Sequence, residues 1–405
     1  MDYKYINRSI ESLIKGIIKQ SPAIALTGPR QSGKSTVLTH IFPKISYVSL
    51  DDPLYREQAI EDPELFLDTV REPVIIDEIQ YAPQLLSYIK IRIDQKRQKK
   101  GRFLLTGSQQ FNLIKNIGDT LAGRIGLLQL LPFDLSEKMK IKHLTDTHKT
   151  VKKAFFHACL NGSYPEPNVN NSIDIRTWYG SYLQTYLERD IRSIYEIGLL
   201  REFQSCLKLL AANCAQVLNI STISKNIGTS VNTVKKWISI LEASGIIYLL
   251  IPYYNNLGKR ITKSPKLYFL DTGFVCYLTG ILTEEHIVSG PMTGALFENY
   301  IIQEVVKTFL NRGQIPPIYY YRTHNGLEID LIIEKNAITL IPVEIKFSQT
   351  PKRTMNKNID AFMKYSKNKN IKNGKLVTLS EKEIILSKNI SLTNVHTFLK
   401  MLNSI

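Results

Sequence analysis

One short stretch constrains this chain of 405 residues more than any other. Residues 28–35 read Gly-Pro-Arg-Gln-Ser-Gly-Lys-Ser, which fits the pattern G-x-x-x-x-G-K-S of phosphate-binding loops. A buried-strand pattern at residues 23–26 precedes the loop, and a helical pattern at residues 36–42 follows it. In such a unit the backbone N–H groups of the loop surround a phosphate, and the helix directs its N-terminus at the same anion. The stretch therefore predicts a nucleoside-triphosphate site.

The residue types in the loop suit this chemistry. Lys34 is expected to place its charge on the β- and γ-phosphates, and the Ser35 hydroxyl is expected to ligate Mg²⁺. The predicted nucleotide-binding residues are Gly28, Pro29, Arg30, Gln31, Ser32, Gly33, Lys34, Ser35 and Thr36.

Two carboxylates end the next buried apolar run, Val74-Ile75-Ile76. Asp77 is placed to hold Mg²⁺, and Glu78 is placed to polarise the attacking water. Ser108, at the tip of a later strand, is expected to sense the γ-phosphate. Arg124 is predicted to stabilise charge on the transferred phosphoryl group, in cis or from a neighbouring subunit, although a surface arginine closing a helix fits equally well. The alternation of strands and helices predicts an α/β fold with a doubly wound parallel sheet.

These motifs together resemble the AAA+ ATPases, and more narrowly a prokaryotic group with a C-terminal domain of unknown function. The resemblance covers nearly the whole chain and implies ATP as the nucleotide, but it does not name a cellular role. Further stretches that match the group are Ser49-Leu50-Asp51-Asp52-Pro53, Gly162-Ser163-Tyr164-Pro165-Glu166 and residues 182–191.

The middle of the chain has a less regular pattern. Residues 136–153 are polar and basic, which predicts a linker or a mobile excursion. Residues 178–194 predict a long helix with the charged cluster Glu188-Arg189-Asp190. A helix at 203–216, a helix–turn–helix at 221–243 and a two-stranded ribbon at 246–252 and 266–270 then predict a winged helix.

A winged helix suggests contact with DNA, although such modules also act as lids or bind protein partners. The side chains expected to reach base edges or phosphates are Asn232, Thr233, Lys235 and Lys236. The basic residues expected to contact the DNA backbone from the ribbon loop are Lys259, Arg260, Lys263 and Lys266.

The C-terminal third has the order helix, strand, strand, strand of PD-(D/E)XK nucleases. Glu344 and Lys346 are two residues apart on a predicted strand, so they point to the same face, where Asp330 of the partner strand can meet them. Asp330 and Glu344 are expected to share a second Mg²⁺ or Mn²⁺, with Lys346 orienting the attacking water and Glu298 adding a ligand. The same fold also serves as an inert binding platform.

Composition and spacing suggest three units: an ATPase domain at 1–135, a helical region with a winged helix at 136–285 and a nuclease-like α/β domain at 286–405. The net charge is +16, and residues 141–405 hold 32 of the 52 Lys and Arg but 20 of the 36 Asp and Glu. This excess favours a nucleic-acid partner as much as a solvated lysine-rich surface. No signal peptide or membrane-spanning run is apparent, so we expect a cytoplasmic protein.

Two functions remain open from the sequence. The first is an ATPase that couples its nucleotide state to DNA engagement, with or without metal-dependent cleavage by the C-terminal domain. The second is a regulatory or signalling ATPase whose C-terminal modules bind a protein partner. A homo-oligomer, including a closed ring, is as compatible with the sequence as a monomer.

Overall fold

A five-stranded parallel sheet organises the N-terminal third of the computed structural model, which describes residues 5–107, 120–187, 200–254, 258, 260, 263–336, 338–365, 370–371 and 373–405. The strands are Ala23–Thr27 (β1), Ser46–Ser49 (β2), Val74–Asp77 (β3), Phe103–Gly107 (β4) and Ile125–Gln129 (β5). Their order is β2-β3-β4-β1-β5, and every pairing is parallel. The predicted parallel α/β sheet is confirmed.

Helices cover both faces of this sheet. They are Glu11–Ile17 (α1), Lys34–Ile41 (α2), Pro53–Glu61 (α3), Pro63–Thr69 (α4) and Leu85–Gln95 (α5). Alternate residues of β1 enter two separate cores, with Ala23 and Ala25 on one face and Ile24 and Leu26 on the other. Because the strands are parallel, the residues that follow β1, β3 and β4 meet at one edge of the sheet.

The polar segment 136–153 is not a linker, so that prediction is wrong. It contains the short helix Leu135–Lys138 (α6) and begins the helix Val151–Asn161 (α7). Glu137 and Lys138 are completely buried, and a capping box of Asp134 and Glu137 starts α6. Glu137 pairs with Arg8 and Lys138 Nζ lies 3.2 Å from Ser163 Oγ, so these buried charges have partners that only tertiary structure discloses.

The middle region continues with the helices Pro165–Val169 (α8) and Ile175–Tyr182 (α9) and a π-helical turn at Leu183–Leu187. The remainder of the predicted helix, with Glu188-Arg189-Asp190, lies outside the described residues. Further helices and an antiparallel ribbon follow: Leu200–Ala212 (α10), Ile220–Ile227 (α11), Val231–Ala243 (α12), Ile247–Leu250 (β6), Lys266–Phe269 (β7), Thr272–Thr279 (α13) and Glu284–Ser289 (α14). The three helices and the ribbon occur in the predicted order, while the winged-helix assignment itself stays a prediction.

The C-terminal third is a seven-stranded mixed sheet with helices packed against it. Its helices are Thr293–Leu310 (α15), Lys357–Tyr365 (α16) and Val395–Leu402 (α17). Its strands are Ile318–Arg322 (β8), Glu328–Glu334 (β9), Thr339–Lys346 (β10), Asn370–Ile371 (β11), Gly374–Thr378 (β12), Ile384–Ser387 (β13) and Ile390–Asn394 (β14). The order is β13-β14-β12-β10-β9-β8, with β11 beside β10, and β8, β9 and β10 pair antiparallel.

The middle and C-terminal parts share one hydrophobic core. A contiguous buried cluster extends from Leu131 to Leu402 and includes Trp237, Phe274 and Phe297. The boundary predicted between 285 and 286 therefore does not separate two cores, and the three-domain division stays a prediction. Within the described ranges, none of the helices has the length and apolar character needed to cross a bilayer.

Candidate functional site

The predicted phosphate loop lies at the carboxyl edge of the parallel sheet, between β1 and α2. Gly28 has φ +143°, and a Cβ atom there would collide with the carbonyl oxygen of Leu130. Gly33 has φ +90° at the N-cap of α2, a conformation that favours glycine. The Lys34 Nζ donates hydrogen bonds to the carbonyl oxygens of Gly28 at 3.1 Å and Pro29 at 3.0 Å. The loop is thus closed around the ammonium group that is expected to meet the phosphates.

The two residues predicted to hold Mg²⁺ are in direct contact. Ser35 Oγ donates to Asp77 Oδ2 at 2.7 Å, and Tyr47 Oη donates to the same oxygen at 2.7 Å. The Thr106 hydroxyl and the backbone N–H of Glu78 bond the other carboxylate oxygen, the latter at 3.1 Å. A carboxylate and a hydroxyl are ligands that suit a hard divalent cation, so these residues fit Mg²⁺.

Tyr47 was missed by the sequence analysis. It lies on β2, next to β3, in a register that pairs Ser49 with Asp77. Because side chains two apart on a strand share a face, Tyr47 points to the same side of the sheet as Ser49. The alternation of residues in β2 is only a weak signal for the position of Tyr47, because the local sequence does not show which strand pairs with β2.

Glu78, the predicted base, directly follows β3 in a left-handed conformation with φ +55°. Such a conformation is uncommon outside glycine and clusters at functional sites. The side-chain amide of Gln80 donates to Glu78 Oε2, which orients the carboxylate beside Asp77. The structure therefore brings Lys34, Ser35, Asp77 and Glu78 to one edge, as expected.

Ser108 and Arg124 complete the predicted catalytic set. Ser108 lies outside the described residues. Arg124 comes directly before β5, and the first residue of β5 pairs with the first residue of β1. Arg124 therefore lies at the amino edge of the sheet, whereas the phosphate loop lies at the carboxyl edge. There its guanidinium binds Asp94 with two hydrogen bonds of 2.7 and 3.0 Å. The expectation of a cis role is wrong because of this placement, and a trans role across a subunit contact stays a prediction.

A cavity of about 340 Å³ adjoins the loop. Gln31, Gly33 and Thr36 form one side of it. The remaining walls come from the N-terminal segment, the segment before α6 and helix α8. They are formed by Tyr5, Ile6, Arg8, Phe133, Pro165, Glu166 and Val169. Glu166 Oε2 accepts a hydrogen bond from Trp178 Nε1 at 3.1 Å, which fixes this carboxylate at the cavity wall. The cavity is largely apolar and suits a nucleoside.

Arg8 connects the loop to the middle region, a role that sequence reasoning did not assign. Its guanidinium donates to the carbonyl oxygens of Ser32 at 2.7 Å and Leu131 at 2.6 Å. It also lies 3.1 Å from the carboxylate of Glu137. Burial raises the pKa of Glu137, and the charge of Arg8 opposes that rise. The arginine therefore holds the back of the phosphate loop against α6.

The C-terminal acidic residues also converge as predicted. Lys346 Nζ lies 3.1 Å from Asp330 Oδ2 and 2.6 Å from Glu344 Oε2. Asp330 Oδ2 accepts a further hydrogen bond from the backbone N–H of Ile345 at 2.8 Å. Burial raises the pKa of Glu344, and the neighbouring Asp330 raises it further. This trio is the constellation expected from the two strands.

A second lysine enters the same cluster from the ribbon. Lys266, only 3% exposed, pairs with Glu298 at 3.1 Å and with Glu328 at 2.6 Å. Glu298 also accepts a hydrogen bond from Tyr268 Oη at 2.6 Å. The predicted contact of Lys266 with DNA phosphates is wrong, because the ribbon packs against the C-terminal unit and buries this side chain.

Arg260 was also predicted to face DNA, and it too is buried. It binds Glu334 at 3.1 Å and stacks on Tyr253 and Tyr319, each ring centre lying 4.5 Å away. Lys259 lies outside the described residues. Within the described ranges, no group of three or more His, Cys, Asp or Glu side chains is arranged to hold a metal ion. With two lysines among its carboxylates, the cluster in this arrangement does not fit a second Mg²⁺ or Mn²⁺.

The predicted DNA-contact residues lie at the start of α12. The Ser230 side chain caps this helix by accepting a hydrogen bond from the backbone N–H of Thr233 at 3.0 Å. Asn232, Lys235 and Lys236 are exposed, and Thr233 is half-buried. Val234 and Trp237, on the opposite side of α12, are buried in the core, so the polar residues share the outer face of this helix.

Comparisons with known families divide the chain into three matches. A family described as an AAA domain matches residues 20–139. Two domains of unknown function follow, DUF8612 at residues 152–285 and DUF4143 at residues 293–398. The first match agrees with the parallel sheet and its phosphate loop, so the N-terminal part is similar to AAA domains.

Relatives of similar organisation occur in bacteria and archaea. An uncharacterized protein of Mycobacterium tuberculosis is 25% identical over 347 residues, covering 85% of this chain and 74% of the relative. An uncharacterized protein of Methanocaldococcus jannaschii is 25% identical over 409 residues, covering 93% of this chain and 86% of the relative.

Among solved structures, a Walker-type ATPase of Pyrococcus abyssi is similar with a TM-score of 0.42 and 15% identity, covering 68% of this chain and 96% of that one. The RuvB protein of Thermotoga maritima gives a TM-score of 0.30 and 16% identity, covering 59% and 85%. At these scores neither likeness bears on domain arrangement or function.

Proposed function

We propose that this protein binds and hydrolyses ATP at the loop and that its nucleotide state controls engagement of DNA by the parts that follow. The observation that carries the ATPase proposal is the 2.7 Å contact between Ser35 and Asp77. It joins the start of α2 to the end of β3 at the edge where the phosphate loop opens. Mg²⁺, held there by these two oxygens, would neutralise charge on the β- and γ-phosphates.

The surrounding residues have separate tasks in this proposal. Lys34 exchanges its two carbonyl acceptors for phosphate oxygens when the nucleotide enters the loop. Glu78 accepts a proton from the attacking water, and Gln80 keeps its carboxylate in place. Tyr47 and Thr106 are positioning residues, because their hydroxyls hold the two oxygens of Asp77. Ser108 is proposed to contact the γ-phosphate.

The cavity of about 340 Å³ beside Gln31 and Thr36 supports a nucleoside site next to the phosphates. Its apolar walls suit a purine ring, with Ile6 and Val169 as contacts. Glu166 is an acceptor at the wall of the same cavity, where it can accept a hydrogen bond from the 6-amino group of adenine.

Glu78→Gln tests the hydrolytic mechanism. We expect the variant to bind ATP with unchanged affinity and to lose turnover by about 10²–10⁴-fold, because an amide cannot accept the proton of the water. Glu57→Gln is the matched control, since it makes the same change at an exposed position of α3. Wild-type hydrolysis in Glu78→Gln would remove this residue from the mechanism.

DNA engagement is supported by the net charge of +16 and by the exposed polar start of α12. Binding to duplex or single-stranded DNA should weaken steeply with added salt if Lys235 and Lys236 neutralise phosphates. Absence of binding at low salt, with and without ATP, would instead favour the regulatory ATPase whose C-terminal modules bind a protein. We place the protein in the cytoplasm, where its four buried cysteines would stay reduced.

Metal-dependent DNA cleavage, the activity expected of nuclease-like strands, would require this cluster to rearrange, since its present arrangement does not fit Mg²⁺ or Mn²⁺. It is favoured by the convergence of Asp330, Glu344 and Lys346, and it is opposed by Lys266, whose ammonium group takes up charge that a metal ion would otherwise balance. Cleavage in the presence of Mg²⁺ or Mn²⁺ that Glu344→Ala and Lys346→Ala both abolish would establish it. Cleavage that survives both substitutions would point to a contaminating nuclease.

A further inference from the structure

We infer that the protein has a second small-molecule site, in a cavity between the ATPase part and the C-terminal helices, which takes a small organic anion bearing a phosphate or carboxylate group. The cavity has a volume of about 590 Å³, within the range of ordinary ligand sites. Ser9 and Asp134 line it from the N-terminal side, and His148, Arg312 and His396 line it from the others.

The carboxylates in this cavity are already engaged by the chain itself. Glu304 accepts from the backbone N–H of Leu135 at 2.7 Å and from Lys307 Nζ at 3.4 Å. Asp134 accepts from Ser9 Oγ at 2.6 Å and from Asn311 Nδ2 at 2.9 Å, besides its capping bonds within α6. Lys307 balances the charge of Glu304, whereas Asp134 is held by neutral donors and keeps its negative charge.

Two residues of the lining, His148 and Arg312, have polar side-chain atoms without a partner among the described residues. His148 is 3% exposed, and neither ring nitrogen has a partner among the described residues. Arg312 Nη1 donates to the Leu402 carbonyl at 2.8 Å and Nη2 to the Gln314 side-chain oxygen at 2.5 Å, so both partners are neutral acceptors. The Arg312 Nε is buried and has no partner in the described part of the chain. Such groups cost free energy unless a water or a ligand satisfies them, and Arg312, held only by neutral acceptors, keeps its charge available to an anion.

Charge in the lining therefore favours an anion. Arg312 forms no ion pair with a described carboxylate, and together with the exposed Lys400 at the rim it outweighs the single negative charge of Asp134. Lys149, also in the lining, is paired with Asp146. Burial lowers the pKa of His148 to about 3, so at neutral pH its ring is uncharged and offers one N–H donor. Burial likewise lowers the pKa of His396. The remaining wall, from Met139 and Leu399, suits the carbon part of an organic ligand.

The position of the cavity gives its occupant a means of acting on the nucleotide site. Arg8 and Phe133 line the cavity beside the phosphate loop, whereas the next residues, Ser9 and Asp134, line this second cavity. The two cavities thus share a wall, which is formed by residues 8–9 and 133–134. A hydrogen bond of 2.6 Å between Ser9 and Asp134 joins these two segments. A ligand that moves this wall changes ATP affinity, and by linkage ATP changes the affinity for that ligand by the same factor.

Calorimetric titration of the full chain with ribose 5-phosphate and, separately, with citrate tests the site. The titrations contain neither ATP nor added metal, so they are independent of whether the protein hydrolyses ATP. We expect saturable binding of one probe at millimolar concentrations or below. Binding of ribose 5-phosphate identifies a phosphate site, and binding of citrate identifies a carboxylate site. Failure of both to bind overturns the inference.

Arg312→Gln should weaken that binding by about tenfold or more, because it removes a charged donor. Arg322→Gln is the matched control, since this arginine is exposed on β8, away from the cavity. Leu399→Trp, which fills the cavity without touching a charge, should also weaken binding and guards against misfolding of the arginine variant. Equal affinities in the wild type, Arg312→Gln and Leu399→Trp would contradict the site.

Discussion

The two carboxylate groups of this protein, around Asp77 at the phosphate loop and around Glu344 in the C-terminal sheet, are held by different kinds of partner. Asp77 is contacted by the hydroxyls of Ser35, Tyr47 and Thr106. Glu344 and its neighbours are contacted by the ammonium groups of Lys346 and Lys266. Neutral hydroxyls orient a carboxylate without cancelling its charge, whereas an ammonium group cancels it.

This difference predicts different uses for similar side chains. A carboxylate held by hydroxyls keeps its attraction for Mg²⁺, and a hydroxyl can itself become a ligand. Buried carboxylates paired with lysines gain no comparable advantage from a metal ion, and each pair must stay intact because an unpaired buried charge is costly. The N-terminal site is thus arranged for a ligand, and the C-terminal cluster is arranged chiefly to join the ribbon to the sheet.

The largest expected effect is loss of turnover in Lys34→Met. Removing the ammonium group that meets the β- and γ-phosphates should lower the rate of ATP hydrolysis by about 10²–10³-fold or more. Phosphate release under saturating ATP measures this effect. Lys44→Met is the control, since Lys44 is exposed beyond the end of α2. Equal rates in the two variants would show that the loop does not serve the reaction.

Lys266→Met should instead affect stability. It leaves Glu298 without its cation and Glu328 with Arg322 alone, at 3.7 Å. Breaking a buried pair in this way costs about 3–5 kcal/mol of the free energy of unfolding. Urea denaturation monitored by circular dichroism measures it, with the exposed Lys335→Met as the control.

Adding Glu298→Gln to Lys266→Met should restore part of the lost stability, because it removes one of the orphaned charges. A Lys266→Met protein as stable as the wild type would show that the cluster does not join ribbon and sheet. A gain of Mn²⁺ binding in this variant would sharpen the comparison by showing that Lys266 occupies the place of a cation.

A smaller effect is expected on DNA binding from the first turns of α12. Lys235→Ala and Lys236→Ala should each lower the slope of the logarithm of the binding constant against the logarithm of salt concentration by about 0.9, the value for one phosphate contact. Lys208→Ala, an exposed lysine on α10, is the control. Equal slopes in all three variants would remove α12 from the proposed interface.

Short-range patterns predicted the elements that the N-terminal site needs. The loop, the strand that ends at Asp77 and the Glu344/Lys346 pair are each written within a few residues, so motif spacing and strand periodicity suffice. The order of helices and ribbon in the middle region was also predictable for this reason.

Long-range partners were not predictable in this way. Arg8 meets Ser32 and Glu137, and Lys266 meets Glu298 and Glu328, across separations that no local pattern encodes. The same limitation explains why residues 136–153 read as a linker. Charged residues usually indicate a solvated surface, and only the folded chain shows that Glu137 and Lys138 are buried against Arg8 and Ser163.

The most direct test of the central claim is to measure ATP binding and phosphate release by the purified wild-type chain, with Mg²⁺ and again with the metal chelated. We predict that the protein retains ATP and releases phosphate only when Mg²⁺ is supplied. A protein that neither retains ATP nor releases phosphate with Mg²⁺ present would contradict the proposed role of the loop, Ser35 and Asp77.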